Sequence, residues 1–262
     1  MTNAIDSAAS AAAASFAAQP RPWCSAPADL ALAPDPARPL SSVDALLAEG
    51  LRDAQGRAPL PAQLAGWSTA ERLDALLRLC LARGLSRRRL ALRCTAAVDC
   101  GADFHAELDL AACRQASAAP AGLLSFQLGS QQWQARMPTG ADQARWSEQA
   151  PTPAQLATEL LQPAPSEPPA AELIRALDQA LARHDPLRLL RLELSCPECG
   201  AVQVQEVQLE AQLLAALAQR HREWLAEIAT LARAFHWSEA ELAALPDWRR
   251  RFYLQELARA AA

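Results

Sequence analysis

Residues 196–200 are Cys196-Pro197-Glu198-Cys199-Gly200, and this short stretch says the most about the fold. Two cysteines separated by two residues can place both sulfurs on one tetrahedral ion, and the following glycine supplies the open backbone angle after the second ligand. Residues 190–194, Leu-Arg-Leu-Glu-Leu, alternate apolar and polar side chains, which is typical of a strand. We therefore predict a zinc knuckle that follows a strand, with a redox-active cysteine pair as the alternative.

A second half-site is present about a hundred residues earlier, at Cys94 and Cys100. Five residues separate these two cysteines, which is more than the usual two to four of a zinc knuckle. The eleven residues from Cys100 align without gaps to the eleven from Cys199, with five identities, so one knuckle-plus-strand unit is used twice. We predict one zinc site with the four ligands Cys94, Cys100, Cys196 and Cys199. The alternative is a first half without metal, a hairpin with two buried cysteines.

Composition excludes some classes of protein. The chain has 262 residues, and its 29 acidic and 25 basic side chains (all of the latter arginine) give a net charge of −4. A dedicated nucleic-acid-binding protein normally carries a basic face, so nucleic acid is not an expected partner. Seven cysteines without a secretory signal indicate a reducing cytoplasm. No charge-free apolar run is long enough to span a bilayer, so no membrane span is expected.

Changes in composition along the chain predict three segments and an α+β fold, with zinc-ribbon-like β-hairpins combined with helices. Residues 1–40 are rich in Ala, Pro and Ser and are predicted to form a disordered arm. Residues 41–210 are predicted to form the α+β body, which holds both knuckles and a Pro-rich break near 162–169. Residues 211–262 are predicted to be a C-terminal helical docking segment. Residues 86–89, Ser-Arg-Arg-Arg, are interpreted as a solvated turn, with a contact to an anion or a partner as the alternative.

Local signals predict several element boundaries. Ser68, Thr152 and Ser238 are predicted to cap the starts of three helices, and Gly129-Ser130 is predicted to be the turn of a β-hairpin.

The last segment combines aromatic and arginine side chains, which are typical anchors of protein interfaces. A helical core formed by the apolar residues of this segment is one interpretation. A docking surface is the other, and it predicts five partner-binding residues: Trp237, Trp248, Arg249, Arg250 and Arg251.

The chain also carries a Ser-x-x-Glu-Arg helix start at 68–72 and an Arg-x-Pro-Thr turn at 136–139. Together with the two knuckles and the segment Trp237 to Leu254, these motifs resemble a family of baseplate proteins of contractile phage tails and phage-tail-like injection systems. The resemblance covers roughly residues 65 to 257. The first knuckle departs from the family pattern, in which a Cys-x-x-Cys is expected.

The resemblance implies a non-enzymatic structural or assembly role in a tail-like particle assembled in the cytoplasm, with other baseplate, hub or spike proteins as partners. Two alternatives stay open at this point. One is a zinc-ribbon nucleic-acid-binding protein, which the acidic residues beside the knuckles disfavour. The other is a thiol oxidoreductase, which would place the cysteine pair at a strand-to-helix junction.

Overall fold

The computed structural model describes residues 19–21, 24–32, 34–97, 99–117 and 122–260, and these form an α+β fold with helices at the C-terminal end. The helices are α1 (Pro39–Gly50), α2 (Pro61–Gly66), α3 (Thr69–Ala82), α4 (Leu110–Gln115), α5 (Gly140–Gln149), α6 (Pro153–Leu160), α7 (Ala171–His184), α8 (Leu209–Phe235), α9 (Glu239–Ala244) and α10 (Asp247–Ala260), with a 3-10 helix at Pro27–Ala31. The strands are β1 (Gln19–Pro20), β2 (Leu51–Arg52), β3 (Arg87–Arg93), β4 (Asp103–Asp109), β5 (Leu123–Leu128), β6 (Gln131–Arg136), β7 (Leu161–Gln162), β8 (Leu190–Ser195) and β9 (Val202–Val207).

The strand pairs formed by the described residues are all antiparallel, and their sheets are small. β3 pairs with β4 and β8 with β9, so each knuckle lies at the tip of its own two-stranded hairpin. β5, β6 and β7 form a three-stranded sheet, and the predicted hairpin around Gly129 is confirmed. The predicted α+β fold with zinc-ribbon-like hairpins and C-terminal helices is therefore observed.

Two hydrophobic cores hold the helices and sheets together. The larger core joins α1, α3, α8 and α9 with the inner faces of both knuckle hairpins, and Leu76, Leu213 and Trp224 are fully buried in it. The smaller core lies between the β5–β7 sheet and the helices α6 and α7. Burial of these apolar side chains is the main stabilising contribution, at roughly 25 cal/mol per Å² of apolar surface removed from water.

Four helices begin where the sequence places an N-cap. Ser68, Thr139, Thr152 and Ser238 each accept a hydrogen bond from the backbone N–H three residues later, and the side chain at that position returns a bond to the cap. This capping box satisfies backbone donors that would otherwise lack partners at a helix start. The predicted helix starts at Ser68, Thr152 and Ser238 are confirmed.

The Ser-x-x-Glu-Arg and Arg-x-Pro-Thr motifs meet in space. Ser68 and Thr139 form an antiparallel bridge, and the N–H of Gly140 donates to the Trp67 carbonyl at 2.9 Å. Arg72 is 1% exposed, and its guanidinium donates to the Leu64 carbonyl at 3.1 Å. A β-carbon at Gly140 would lie 2.6 Å from Nη1 of Arg72, so a larger residue there would have to displace this buried guanidinium. Both motifs therefore fix the packing of the fold.

The prediction of a disordered arm over residues 1–40 is wrong for the part of it that packs on the body. Cys24 and Asp29 are both fully buried, and Gln19–Pro20 pairs with Leu51–Arg52. Arg21 pairs with Asp29, whose carboxylate also accepts the N–H groups of Ser25 and Ala26. A few anchoring residues order a segment whose average composition is that of a disordered chain. Residues 1–18 lie outside the described residues.

The predicted boundary between residues 210 and 211 does not separate two structural units. It falls inside α8, whose apolar face packs on α1 and α3 and shares the larger core. The apolar face of α8 is wide because it packs against the α+β body of the same chain.

The Pro-rich break near 162–169 contains no helix or strand after Gln162, yet the smaller core includes residues on both sides of it, Leu160 and Leu173.

The basic run at 86–89 also differs from its prediction as a solvated turn. Residues 87–89 begin β3, opposite Asp109, Leu108 and Glu107 of β4. Arg87 forms an ion pair with Glu107 at 3.0 Å, and Arg88 Nε donates to the side-chain oxygen of Gln212 at 3.3 Å, so these two arginines are engaged within the protein.

Candidate metal centre

The two knuckle hairpins are structurally equivalent, which confirms the repeat seen in the sequence. The N–H of Cys94 donates to the Ala102 carbonyl at 2.8 Å, and the N–H of Cys196 donates to the Ala201 carbonyl at 2.9 Å. Each second cysteine is followed by a glycine with positive φ, +55° at Gly101 and +70° at Gly200. An L-residue is strained in that conformation, so glycine is required at both turns.

The longer first loop reaches the same geometry with an extra turn. The N–H of Cys100 donates to the Ala97 carbonyl at 3.2 Å, which closes a tight turn just before the cysteine. Thr95, Ala96 and Asp99 of this loop are exposed, and the sulfurs of Cys94 and Cys100 still lie within 4.8 Å of each other. Five intervening residues are thus compatible with a knuckle in this hairpin.

The structure brings together the four cysteines that the sequence predicts as ligands. Their sulfur atoms all lie within 4.8 Å of one another, with Cys94 Sγ 3.7 Å from Cys199 Sγ and Cys100 Sγ 3.8 Å from Cys196 Sγ. A regular tetrahedron with metal–sulfur bonds of about 2.3 Å has edges of about 3.8 Å. The donor set and its spacing therefore fit a four-coordinate metal ion such as zinc.

Backbone N–H groups are directed at the sulfurs. The N–H of Ala97, helped by that of Ala96, donates to Cys94 and lowers the pKa of its thiol to about 7, against the opposing effect of burial. At Cys100, a hydrogen bond from the Ala102 backbone also lowers the pKa of the thiol. Burial and the neighbouring cysteine side chains outweigh it and raise the pKa of Cys100 to about 12. Four thiolates at these distances require a cation, and metal-bound thiols are deprotonated. Four sulfurs this close together are better explained as the ligands of one metal ion than as four unreactive thiols.

Gln203 joins the two hairpins beside the cluster, and the sequence interpretation missed it. Its side-chain Nε2 donates to the Arg93 carbonyl at 3.2 Å, and its Oε1 accepts the N–H of Thr95 at 2.9 Å. Gln203 is 7% exposed, and it aligns with Phe104 in the repeat. The sequence did contain a signal for this contact: Gln203 is polar at an inward-facing strand position where the other repeat has Phe104.

A small apolar cluster surrounds the sulfurs and adjoins the larger core through Leu92, which packs against both. Cys94, Cys196 and Phe104 are buried in it, and Leu92 and Leu194 pack against it from the two hairpins. Cys100 is half-buried and Cys199 is exposed. So small a cluster supplies little hydrophobic stabilisation, which is the situation in which a structural metal contributes most to folding.

The five residues predicted to bind a partner differ in their exposure to solvent. Trp248, Arg249 and Arg251 are exposed on α10. Trp237 is half-buried in an aromatic cluster, and its ring stacks on the ring of Phe235 with the two centroids 5.2 Å apart. Arg250 is 1% exposed. The prediction of a partner contact is therefore wrong for Arg250, whose side chain points into the protein.

Arg250 fixes the C-terminal helices to the N-terminal segment. Its guanidinium donates to the Leu245 carbonyl, pairs with Asp247, and donates to the Cys24 carbonyl at 3.2 Å. Nearby, Nε2 of His221 lies 3.1 Å from the carbonyl of Asp29. Arginine occupies this first helical turn because it satisfies buried carbonyl groups, which outweighs its unfavourable interaction with the helix dipole.

Comparison with protein-family models, with curated proteins and with solved structures finds no match to this chain. Across the residues that the structure describes, no helix has the length and hydrophobicity needed to cross a membrane.

Proposed function

We propose that this chain is a non-enzymatic structural or assembly component of a contractile tail-like baseplate, with a zinc ion bound by Cys94, Cys100, Cys196 and Cys199. The zinc ion stabilises the fold by linking the two hairpins. The C-terminal helices carry the contact to another baseplate, hub or spike protein.

One observation carries this proposal: two cysteine pairs about a hundred residues apart form a single cluster, in which all four sulfurs lie within 4.8 Å of one another. Cysteines that share no ligand would not be expected to lie so close together in the fold. The other motifs of the resemblance support it, because Ser68, Arg72, Thr139 and Arg250 are all capping or buried residues that fix the fold. Residues that determine architecture are the ones that a structural family would share.

The zinc-ribbon nucleic-acid-binding alternative is less well supported. The arginines on the outer faces of the hairpins stand opposite carboxylates, as in the pairs Arg87–Glu107 and Arg191–Glu206, both at 3.0 Å. Paired arginines contribute little net positive potential, whereas binding to phosphates requires an excess of it.

The thiol oxidoreductase alternative requires a cysteine pair at the start of a helix, where the helix N-terminus stabilises a thiolate. Cys196 and Cys199 instead lie in the turn between two antiparallel strands, β8 and β9. This placement is typical of a metal knuckle and supports a structural role for the cysteines.

Deleting the gene in its source and examining the particles by electron microscopy tests the proposal. We expect that complete contractile particles are lost, that the wild-type gene restores them, and that Cys199→Ser does not. Normal particles after deletion, or an absence of sheath, tube and spike genes from the genome, would contradict the assigned function.

A further inference from the structure

The outward face of α10 carries an exposed aromatic pair. Trp248 is 70% exposed and Phe252 is 52% exposed, and they lie one helical turn apart. Side chains at positions i and i+4 are neighbours on a helix surface, so the two rings form one continuous ridge. Exposed apolar patches of this kind mark interaction sites more often than isolated exposed residues do.

The opposite face of the same helix is firmly held. Tyr253 packs against Phe235 and Trp237 with ring centroids 5.4 Å apart in both cases, and Leu254 and Leu257 pack on the larger core. Together with the buried Arg250, these contacts fix the orientation of α10. The ridge is therefore presented by a helix that needs no ordering on binding, which lowers the entropic cost of association.

Arginines flank the ridge, and their charge is not balanced locally. Within the part of the chain that the structure describes, Arg249 forms no ion pair; its Nε donates to the Tyr253 hydroxyl at 3.0 Å. Arg251 lies 3.7 Å from the carboxylate of Asp247, which also pairs with the buried Arg250. One carboxylate thus serves two arginines, and the ridge has a surplus of positive charge.

We infer that this ridge, Trp248 and Phe252 with Arg249 and Arg251 at its sides, inserts into an apolar groove of a partner protein that is edged with Asp and Glu carboxylates. A rigid amphipathic helix in a groove, with anchors at i and i+4, is a recurring mode of recognition. Aromatic anchors supply the buried area, and the arginines match the acidic edges. The inference rests on the proposed function only for the identity of the partner as a baseplate, hub or spike protein.

The charge distribution favours this occupant over two others. A second copy bound face to face across a twofold axis would bring the arginines of both ridges together, and like charges oppose that contact. A nucleic acid would stack on the aromatic rings, but the chain as a whole has a net charge of −4, which opposes binding to phosphates.

Site-specific photo-cross-linking in the source cells tests the inference on the full chain. Phe252→p-benzoylphenylalanine should give one discrete cross-linked protein, whose cross-linked peptide lies in an apolar groove with Asp or Glu at its edges. The matched control is Leu60→p-benzoylphenylalanine, at a position 63% exposed and outside α10, and it should not give this product. A cross-link to nucleic acid, to a second copy or to a surface without these features, or no cross-link at all, overturns the inference.

The partner that the cross-link identifies is then purified, and its affinity for variants of this chain shows which residues of the ridge contribute to binding. Trp248→Ala with Phe252→Ala should weaken binding by about 25-fold or more, as expected for interface anchors. Arg249→Glu with Arg251→Glu should weaken binding and reverse its dependence on salt, because salt then screens a repulsion between carboxylates, while Leu60→Ala should leave binding unchanged. Equal binding by all variants overturns the inference. A partner with an acidic-edged groove that is not a tail protein would uphold the inference and refute the proposed function.

Discussion

At the scale of single residues, a few buried charged side chains determine the architecture. Arg72, Asp142 and Arg250 are each at most 3% exposed, and each is bonded to backbone or to an opposite charge. Removing one member of such a pair leaves a buried charge uncompensated, which costs far more than losing a surface ion pair. The sequence shows three consecutive arginines at 249–251, but not which of them faces inward.

Arg250→Ala should lower the free energy of unfolding by about 3 kcal/mol, because it leaves the carbonyl groups of Leu245 and Cys24 without their donor and removes the closer of the two arginine partners of Asp247. Urea denaturation measures this. Arg249→Ala is the matched control on the same helical turn and should change stability by less than about 0.5 kcal/mol. Equal effects of the two substitutions would show that Arg250 has no special structural role.

Asp142 gives the fold a defined dependence on pH. Burial alone would raise its pKa, but bonds from Arg136, Thr139 and Arg145 dominate and hold the pKa of this carboxyl well below its usual range. A carboxyl with a depressed pKa in the folded state stabilises the protein above its unfolded-state pKa of about 3.9, and the contribution is lost as the pH falls further. The stability difference between wild type and Asp142→Asn should therefore be constant from pH 7 to about 5 and shrink below about pH 4. A difference that grows on acidification would contradict this assignment.

At the scale of elements, the sequence predicts local structure well where a side chain directly bonds the backbone. The capping residues Ser68, Thr152 and Ser238 begin helices as predicted, and the glycines after the cysteines turn both knuckles. The repeat and all four ligands were also predictable, because ligand type and spacing are local properties. The contact that joins the hairpins was not, since Gln203 bonds to residues of β3 and its loop that are more than a hundred positions away.

Gln203→Leu should weaken the association of the two hairpins while leaving the four sulfurs in place. We expect a loss of about 1–2 kcal/mol in unfolding free energy, because the Thr95 N–H and the Arg93 carbonyl become unsatisfied, and faster loss of metal to a chelator. Gln205→Leu is the control, since Nε2 of Gln205 donates to the carbonyl of the adjacent Glu206 and not across to the other hairpin, as far as the described residues go. Unchanged chelator kinetics in Gln203→Leu would show that this bond does not support the metal centre.

At the scale of the whole molecule, the N-terminal segment and the C-terminal helices depend on each other. Cys24 and Asp29 contact Arg250 and His221, which are about two hundred residues away. Composition describes residues 1–40 on average and cannot show that a few of them have buried partners so distant in sequence. For the same reason the sequence suggested a separate C-terminal segment, whereas α8 completes the core of the body.

Deleting residues 1–32 should lower the melting temperature substantially, because it exposes the groove that Cys24 and Asp29 fill and removes an acceptor of Arg250. Deleting residues 1–18 alone should leave the melting temperature nearly unchanged, since that Ala/Ser-rich stretch has no periodic apolar face. Thermal unfolding followed by circular dichroism compares the two. Identical curves for both deletions would refute the role of the 24–32 segment.

The central claim is that one metal ion joins the two hairpins through four cysteines, and X-ray absorption at the zinc edge of the purified full chain tests it most directly. The account predicts about one zinc per chain, surrounded by four sulfur atoms at about 2.3 Å. It also predicts that Cys94→Ser and Cys199→Ser each remove one sulfur from the shell or release the metal. A protein without zinc, or a shell of two sulfurs completed by nitrogen or oxygen, would contradict the four-cysteine site.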